Sequence, residues 1–344
     1  FFWGTTAFGQ ADQIDQPTKN FEALWKEFDL RYANFDLKKV NWDSVYQVYR
    51  PQVTEQTTNQ ALFNLCCEMV QTLNDGHVTI DPDFEDEPIT CGPPYEFSIR
   101  RAFPTAFAFQ LFEQVMDKTL KNNGFSEASR PRVTDETNFQ YRTSSQFGYL
   151  RLDEMTEKFP LRRLKKALNT AFAAFQNKEG IIIDLRFNGG GWDKVGYQIA
   201  GHLVNKKQIG HYKKTRKKGT NEFKKLKSFS VKPKSKNIFA KPVIILTSDF
   251  TASAAEVFLL AVKYLPHVTI VGDTTEGIFS DMYEFELPNN WEVSLSHQQF
   301  FSTDMVNYEE IGIAPDVKVV NSVEDLENEV DRVIAKAIEV LQGK

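Results

Sequence analysis

The sequence predicts an α/β protein core preceded by a small helical domain, and three observations carry that prediction. Amphipathic helical periodicity fills residues 17 to 75. From Phe147 onward, short β-branched runs alternate with helical patterns, as crossover units do. Two of those runs, Gly180–Arg186 and Pro242–Thr247, are continuously apolar apart from their ends, the mark of strands covered on both faces. With 344 residues, 41% of them hydrophobic and 25% charged, the chain can fill a sizeable core. No apolar stretch approaches the roughly 20 residues that cross a bilayer, so no membrane span is expected. A net charge of −5 excludes a generally basic nucleic-acid binder, and no nucleic-acid partner is expected.

The elements follow in order. Phe21–Phe28 repeats apolar residues at three- and four-residue intervals. Asn41-Trp42-Asp43 opens a second helix, which stops at Pro51. Ala61–Val70 forms another helix behind the polar Thr57-Thr58-Asn59, and Leu73-Asn74-Asp75-Gly76 ends it in a turn. We read 15–75 as a helical N-terminal domain, 76–146 as a connecting segment and 147–344 as the α/β domain with a C-terminal helix. Within the connecting segment, Asp81–Pro88 is an acidic, proline-broken loop, and a helical pattern covers Phe107–Leu120. The α/β part begins with a strand at Gly148–Leu152 and a helix at Leu161–Phe175. The buried strand Gly180–Arg186 precedes a helix at Trp192–Val204, and the buried strand Pro242–Thr247 precedes one at Ser253–Leu265. Val268–Gly272 is the next strand. A final helix, Val323–Leu341, starts after Asn321-Ser322 with acids in its first turn.

Three features lie outside that pattern. Phe1–Ala11 is apolar, uncharged and rich in small residues; it reads equally as the end of a secretory leader, giving an extracytoplasmic location, or as an unstructured end. Cys66 and Cys67 are neighbours poorly placed to bond each other, Cys91 sits in a Gly-Pro loop, and no pair has metal-ligand spacing, so no metal is expected. Between Lys206 and Lys241 there are fourteen Lys or Arg and one acid, Glu222, a local balance of +13, which leaves −18 for the remainder. Such a stretch could meet nucleic acid or anionic lipid, but without interleaved aromatics it reads better as a solvated ribbon or loop.

The chemistry concentrates at the ends of the two buried strands. Asp184-Leu185-Arg186-Phe187-Asn188-Gly189-Gly190-Gly191 lets the backbone turn sharply and presents N–H groups to a ligand. It lacks the Gly-Lys-Ser/Thr ending of a phosphate loop and the spacing of a dinucleotide fingerprint, so an oxyanion hole is the alternative use. Thr251-Ala252-Ser253-Ala254-Ala255-Glu256 places Ser253 at the first turn of a helix, where the dipole favours an alkoxide and the Ala254 N–H could donate to an oxyanion. Taken alone, Ser253 reads as an N-cap. Asp184 and Arg186 read as buried charges bracing the glycine loop.

Six segments in order, Leu73–His77, Gly148–Leu150, Asp184–Gly191, Thr251–Glu256, Gly272–Gly277 and Gly312–Asp316, resemble the serine peptidase family of C-terminal (tail-specific) processing proteases, tricorn core proteases and interphotoreceptor retinoid-binding repeats. The resemblance implies a crotonase-like core and a nucleophile at Ser253. Processing proteases of this family use a lysine just after the glycine of the turn following the serine. Here that position is Ile278, and no lysine occurs between Lys263 and Lys318. Tricorn-like members use a histidine oriented by a glutamate, and His77 and Glu309 stand at those positions, with Glu310 an adjacent rival. The implied machinery is therefore Ser253, His77 and Glu309, with Gly190 and Ala254 as oxyanion donors and no cofactor. The tricorn type has a serine before its histidine, where this chain has Gly76, so a plain triad is expected. Residues 81–146 lack the glycine-leucine signature of a peptide-binding PDZ domain. The implied function is that of a serine endopeptidase acting on peptides or unfolded proteins through an acyl-enzyme. The alternatives are a non-catalytic binder of small apolar ligands on the same fold, which the 29 phenylalanines could line, and a crotonase-type acyl-CoA enzyme. The latter chemistry has no use for Ser253 with a histidine partner. Oligomeric state and cleavage preference do not follow from the sequence.

Overall fold

The computed structural model describes residues 16–82, 91, 106–133, 139–156, 160–234 and 238–343. The leader-like Phe1–Ala11 and most of the acidic loop at 81–88 fall outside the described residues. The chain forms two compact units: one from the described residues within Phe1–Pro94, Lys214–Lys225 and Ser280–Gln299, the other from those within Tyr95–Lys213, Leu226–Phe279 and Phe300–Lys344.

The first unit contains helices α1 (Pro17–Arg31), α2 (Phe35–Lys38), α3 (Trp42–Tyr49) and α4 (Asn59–Gln71), then strand β1 (Thr79–Asp81). Each expected helix of this region is present. Asn41 and Thr58 cap α3 and α4 by accepting the N–H groups of Ser44 and Ala61. Phe21, Leu24, Phe28, Leu62, Cys66 and Met69 line up at helical spacing and are fully buried.

The second unit is built on a six-stranded sheet. Its strands are β2 (Phe139–Thr143), β3 (Phe147–Leu152), β4 (Gly180–Asp184), β7 (Val243–Thr247), β8 (Val268–Gly272) and β12 (Val317–Lys318), in the order β12-β8-β7-β4-β3-β2. All neighbours are parallel except the edge strand β2, which is antiparallel to β3. Alternate residues of the central strands face two different cores, as the continuous apolar runs require. Ile181, Ile183, Val243 and Ile245 pack with three helices: α6 (Leu161–Phe175), α7 (Asp193–Ala200) and α8 (Ala254–Val262). Ile182, Ile244 and Leu246 pack in the other core with residues of α5 (Ala106–Asn122) and α10 (Arg332–Leu341). This is the mixed α/β core the sequence predicts.

Strands β5 (Gln208–Thr215) and β6 (Lys227–Val231) pair antiparallel within the lysine-rich segment, which is thus the expected ribbon. Three strands complete the set: β9 (Met282–Glu286), β10 (Glu292–Ser296) and β11 (Gln298–Phe301). In the first unit β10 lies between β1 and β9, antiparallel to both.

The single C-terminal helix expected over Val323–Leu341 is instead two, α9 (Val323–Glu327) and α10. The break has a cause. Asp331 is fully buried and accepts the Val333 and Ile334 N–H groups as the N-cap of α10, while both its oxygens take the Arg186 Nη1 at 2.9–3.0 Å. Arg186 also donates to Asp184 through Nε (2.9 Å) and Nη2 (2.7 Å), and the Tyr149 hydroxyl donates to the same carboxylate. Burial alone would raise Asp184, but the guanidinium beside it holds its carboxyl below the usual range. Asp184 and Arg186 are buried structural charges, as the sequence reading had them.

A buried cation between two buried carboxylates stands or falls as a set. Replacing Arg186 with Met should leave Asp184 and Asp331 uncompensated and cost about 3–5 kcal/mol, read as a lowered urea midpoint. An unchanged midpoint would show that the set does not brace the second unit.

Candidate active site

Strands β4 and β7 are parallel neighbours, with Asp184 opposite Leu246, so the loops leaving their carboxyl ends start side by side. The two loops are then laced together. The Ala252 N–H donates to the Asn188 carbonyl at 3.1 Å, the Thr251 hydroxyl to the Leu185 carbonyl at 2.9 Å, and the Ser248 hydroxyl to the Arg186 carbonyl at 2.5 Å. A β-carbon on Gly190 would lie 2.6 Å from Ser253 Cβ and 3.0 Å from the Ala254 nitrogen, so only glycine admits this approach. The φ of +104° at Gly190 requires glycine for a second reason.

Ser253 caps α8 and is only partly buried. Its backbone is strained, with φ 53° and ψ −118°, a region that residues with a β-carbon seldom occupy. Such outliers persist only where neighbours over-determine them, and they cluster at functional turns; a serine on a sharp strand-to-helix turn is a recurrent way to expose a nucleophile. The neighbour that fixes Ser253 is Glu256, a fully buried carboxylate. One of its oxygens accepts the N–H groups of Ser253 (2.9 Å) and Ile278 (3.1 Å), and the other the Thr275 hydroxyl (2.5 Å) and the Gly277 N–H (2.9 Å). Burial pushes the Glu256 carboxyl up, to about 8, against the pull of these donors. The hydrogen bonds favour the anion. Thr275 Oγ1 itself receives the Ile313 N–H and gives its own hydrogen to Glu256, so all four partners stand as donors to the carboxylate.

In the sequence Glu256 stands inside a motif with no role assigned to it. The signal was present, since a serine followed three residues later by glutamate at a helix start is the capping-box signature. Asn188 was likewise missed. Its side chain is fully buried, donating to the Leu152 carbonyl at 2.9 Å and accepting the Gly190 N–H at 3.0 Å. The Gly190 amide is therefore held by Asn188 here, and it reaches an oxyanion only by sharing or exchanging that acceptor. The Ala254 amide is at the first position of α8, where no intrahelical acceptor exists.

Glu309 is buried and Glu310 exposed. The segment carrying them is a turn, with Glu310 at φ 67°, and not the extended run that would alternate their side chains. A Glu309 oxygen accepts the Phe279 N–H at 2.7 Å, and the Glu310 N–H donates to the Gly277 carbonyl at 2.8 Å. Lys263 Nζ donates to the Tyr308 hydroxyl at 2.6 Å. Ser253, Ala254, Gly190 and Glu309 all belong to the second unit.

His77 belongs to the first unit. Its N–H donates to the Asp75 carboxylate (2.9 Å), which also takes the Tyr32 and Ser296 hydroxyls, while the Ser294 hydroxyl donates to the His77 carbonyl (2.7 Å). The Asp-Gly-His turn is thus pinned from Tyr32, the residue that caps the C-terminus of α1, and from β10. Burial lowers the His77 pKa below the ordinary 6.5; Asp75 and Asp281 oppose the shift and Lys38 adds to it. Among the described residues no cluster of His, Cys, Asp and Glu could hold a metal, and no helix is long and apolar enough to cross a membrane.

Comparison with known proteins gives this geometry relatives. Residues 146–319 match the model of peptidase family S41, and residues 15–71 match the tricorn protease C1 domain. The carboxy-terminal-processing protease of Bartonella bacilliformis is 28% identical over 187 residues, covering 52% of this chain and 40% of the relative. The carboxy-terminal processing protease CtpA of Bacillus subtilis is 26% identical over 192 residues, 55% of this chain and 38% of that one. The chain thus spans about two-fifths of the length of the curated relatives it matches. A crystal structure from Parabacteroides merdae, described as a candidate peptidase, superposes with a TM-score of 0.77 at 26% identity, over 94% of this chain and 96% of that one. The fold alone is shared with mature CPAF, at TM-score 0.69 and 12% identity over 95% and 98% of the two chains.

Proposed function

This chain belongs to peptidase family S41, and we propose that it is a serine endopeptidase working through an acyl-enzyme with Ser253, His77 and Glu309. The observation that carries the reading is the strained backbone of Ser253, partly buried and set against the glycine loop. In this mechanism Ser253 Oγ attacks the scissile carbonyl while His77 takes its proton. The amides of Ala254 and Gly190 receive the oxyanion, and His77 returns the proton to the leaving amine. A histidine whose pKa burial has lowered is neutral at pH 7, the form a general base needs. Glu309 is preferred over Glu310 as the orienting carboxylate because it is buried, and a buried carboxylate holds a histidine in a fixed tautomer better than an exposed one. The Ser/Lys alternative has no support: Lys263 is engaged with Tyr308, and Lys318 is exposed and paired with Asp273. The substrates are peptides or unfolded proteins, the class this chemistry serves.

Three measurements test the mechanism. Ser253→Ala should abolish both hydrolysis of an unstructured protein and labelling by a fluorophosphonate probe, with the melting temperature unchanged; retained turnover would overturn the assignment of the nucleophile. The pH profile of kcat/KM should have its acidic limb below 6.5. The imidazole must be neutral, its pKa is lowered, and activity is therefore lost only as pH falls through that lowered value. A limb at or above pH 7 would point away from His77. Finally, Glu309→Gln should lower kcat strongly, by up to ~10⁴-fold as in a comparable triad, while Glu310→Gln leaves it nearly unchanged. The opposite ranking would transfer the orienting role to Glu310.

A further inference from the structure

We infer that Glu256 is a positioning residue that aligns the nucleophile Ser253 and the carboxylate of Glu309 at the same time, an inference that rests on the serine-peptidase reading of this site. A capping glutamate that served only its helix would bond the N-cap amide and little else. Of the four donors to Glu256, only the Ser253 N–H belongs to that helix start. The other three come from Thr275, Gly277 and Ile278, 19 to 22 residues downstream. That turn is in turn the support of Glu309. The next amide, Phe279, donates to the Glu309 carboxylate, and the Gly277 carbonyl takes the Glu310 N–H. Thr275 closes the circuit, because its hydroxyl donates to Glu256 and accepts the Ile313 N–H, and its own N–H donates to the Ile313 carbonyl.

Two short paths therefore leave one carboxylate. One passes through a single hydrogen bond to the strained Ser253 backbone. The other passes through the 275–279 turn to Glu309. The four oxygen lone pairs are all committed to donors, so no replacement side chain reproduces the set. Glutamine keeps the shape but turns an NH₂ toward one of the two donor pairs, leaving at least one backbone N–H without its acceptor. Loss of the Ser253 bond frees that residue to leave its strained conformation, and loss of the turn bonds lets Glu309 drift. Displacements on the order of 1 Å at a reacting group cost about 10²-fold in rate.

The test uses the full chain and steady-state hydrolysis of one unstructured, fluorogenic protein substrate. Glu256→Gln should lower kcat by about 10²-fold with KM nearly unchanged, and fluorophosphonate labelling should slow in the same proportion. In combination with Glu309→Gln the losses should be clearly less than additive, because both substitutions spoil one alignment. Should Glu256→Gln fail to fold, Thr275→Val decides. It keeps the Ser253–Glu256 bond, cuts the bridge to Ile313, and should still lower kcat severalfold at unchanged KM. Wild-type kcat in a folded variant, a loss expressed through KM, or strict additivity with Glu309→Gln would overturn the inference. Those failures are separable from failure of the peptidase reading, which alone would be signalled by an active Ser253→Ala enzyme.

Discussion

The parallel pairing of β4 with β7 is the constraint from which the candidate site follows. Parallel strands deliver their carboxyl ends to the same edge of the sheet, and a crevice outside those ends is where open α/β sheets place ligands. Here the register sets Asp184 beside Leu246, so the glycine-rich loop and the serine loop begin level with each other. Everything closer to the chemistry depends on that start. The main-chain bond from Ala252 to Asn188 forms because the loops are level, and Gly190 and Ser253, each the sixth residue beyond its strand, come into contact.

Holding two loops at this distance means packing polar backbone against polar backbone away from water, and the protein satisfies it with buried side chains. Asn188 closes the glycine loop, Thr251 and Ser248 tie the serine loop to it, and Glu256 gathers donors from the serine and from the 275–278 segment. Beneath them Arg186, Asp184 and Asp331 form a charged base that also anchors the N-terminus of the C-terminal helix. Buried polar sets of this kind contribute less to net stability than to uniqueness, since any half-satisfied alternative carries a large desolvation cost. That is the property a strained serine needs from its surroundings.

The histidine is held by a separate set of the same character. Asp75 gathers the hydroxyl of Tyr32 just past α1, a serine hydroxyl from β10 and the His77 amide. Ser294, also on β10, fixes the His77 carbonyl, so the turn is braced on both sides of the residue. The tyrosine that reaches Asp75 also offers its carbonyl to Arg216 from the lysine-rich ribbon. Part of that charge-dense segment therefore has a structural task inside the first unit, which its composition alone did not suggest.

Much was legible in the sequence because it depends on local pattern. The helices of residues 17 to 75, the doubly buried strands β4 and β7, and the serine at a strand-to-helix junction all announce themselves through periodicity or residue type. The six motif segments likewise made the family readable, and the proposal of Ser253, His77 and Glu309 rests on them. Tertiary structure decided the rest. The C-terminal helix is broken at Asp331 because a buried arginine 145 residues away in the chain claims that carboxylate, and periodicity carries no record of such a partner. The strain at Ser253, the committed Gly190 amide and the fourfold role of Glu256 are likewise invisible in a linear reading. Each is set by hydrogen bonds between segments remote in sequence, and a residue's type fixes what it can donate or accept but not which group will be there to meet it.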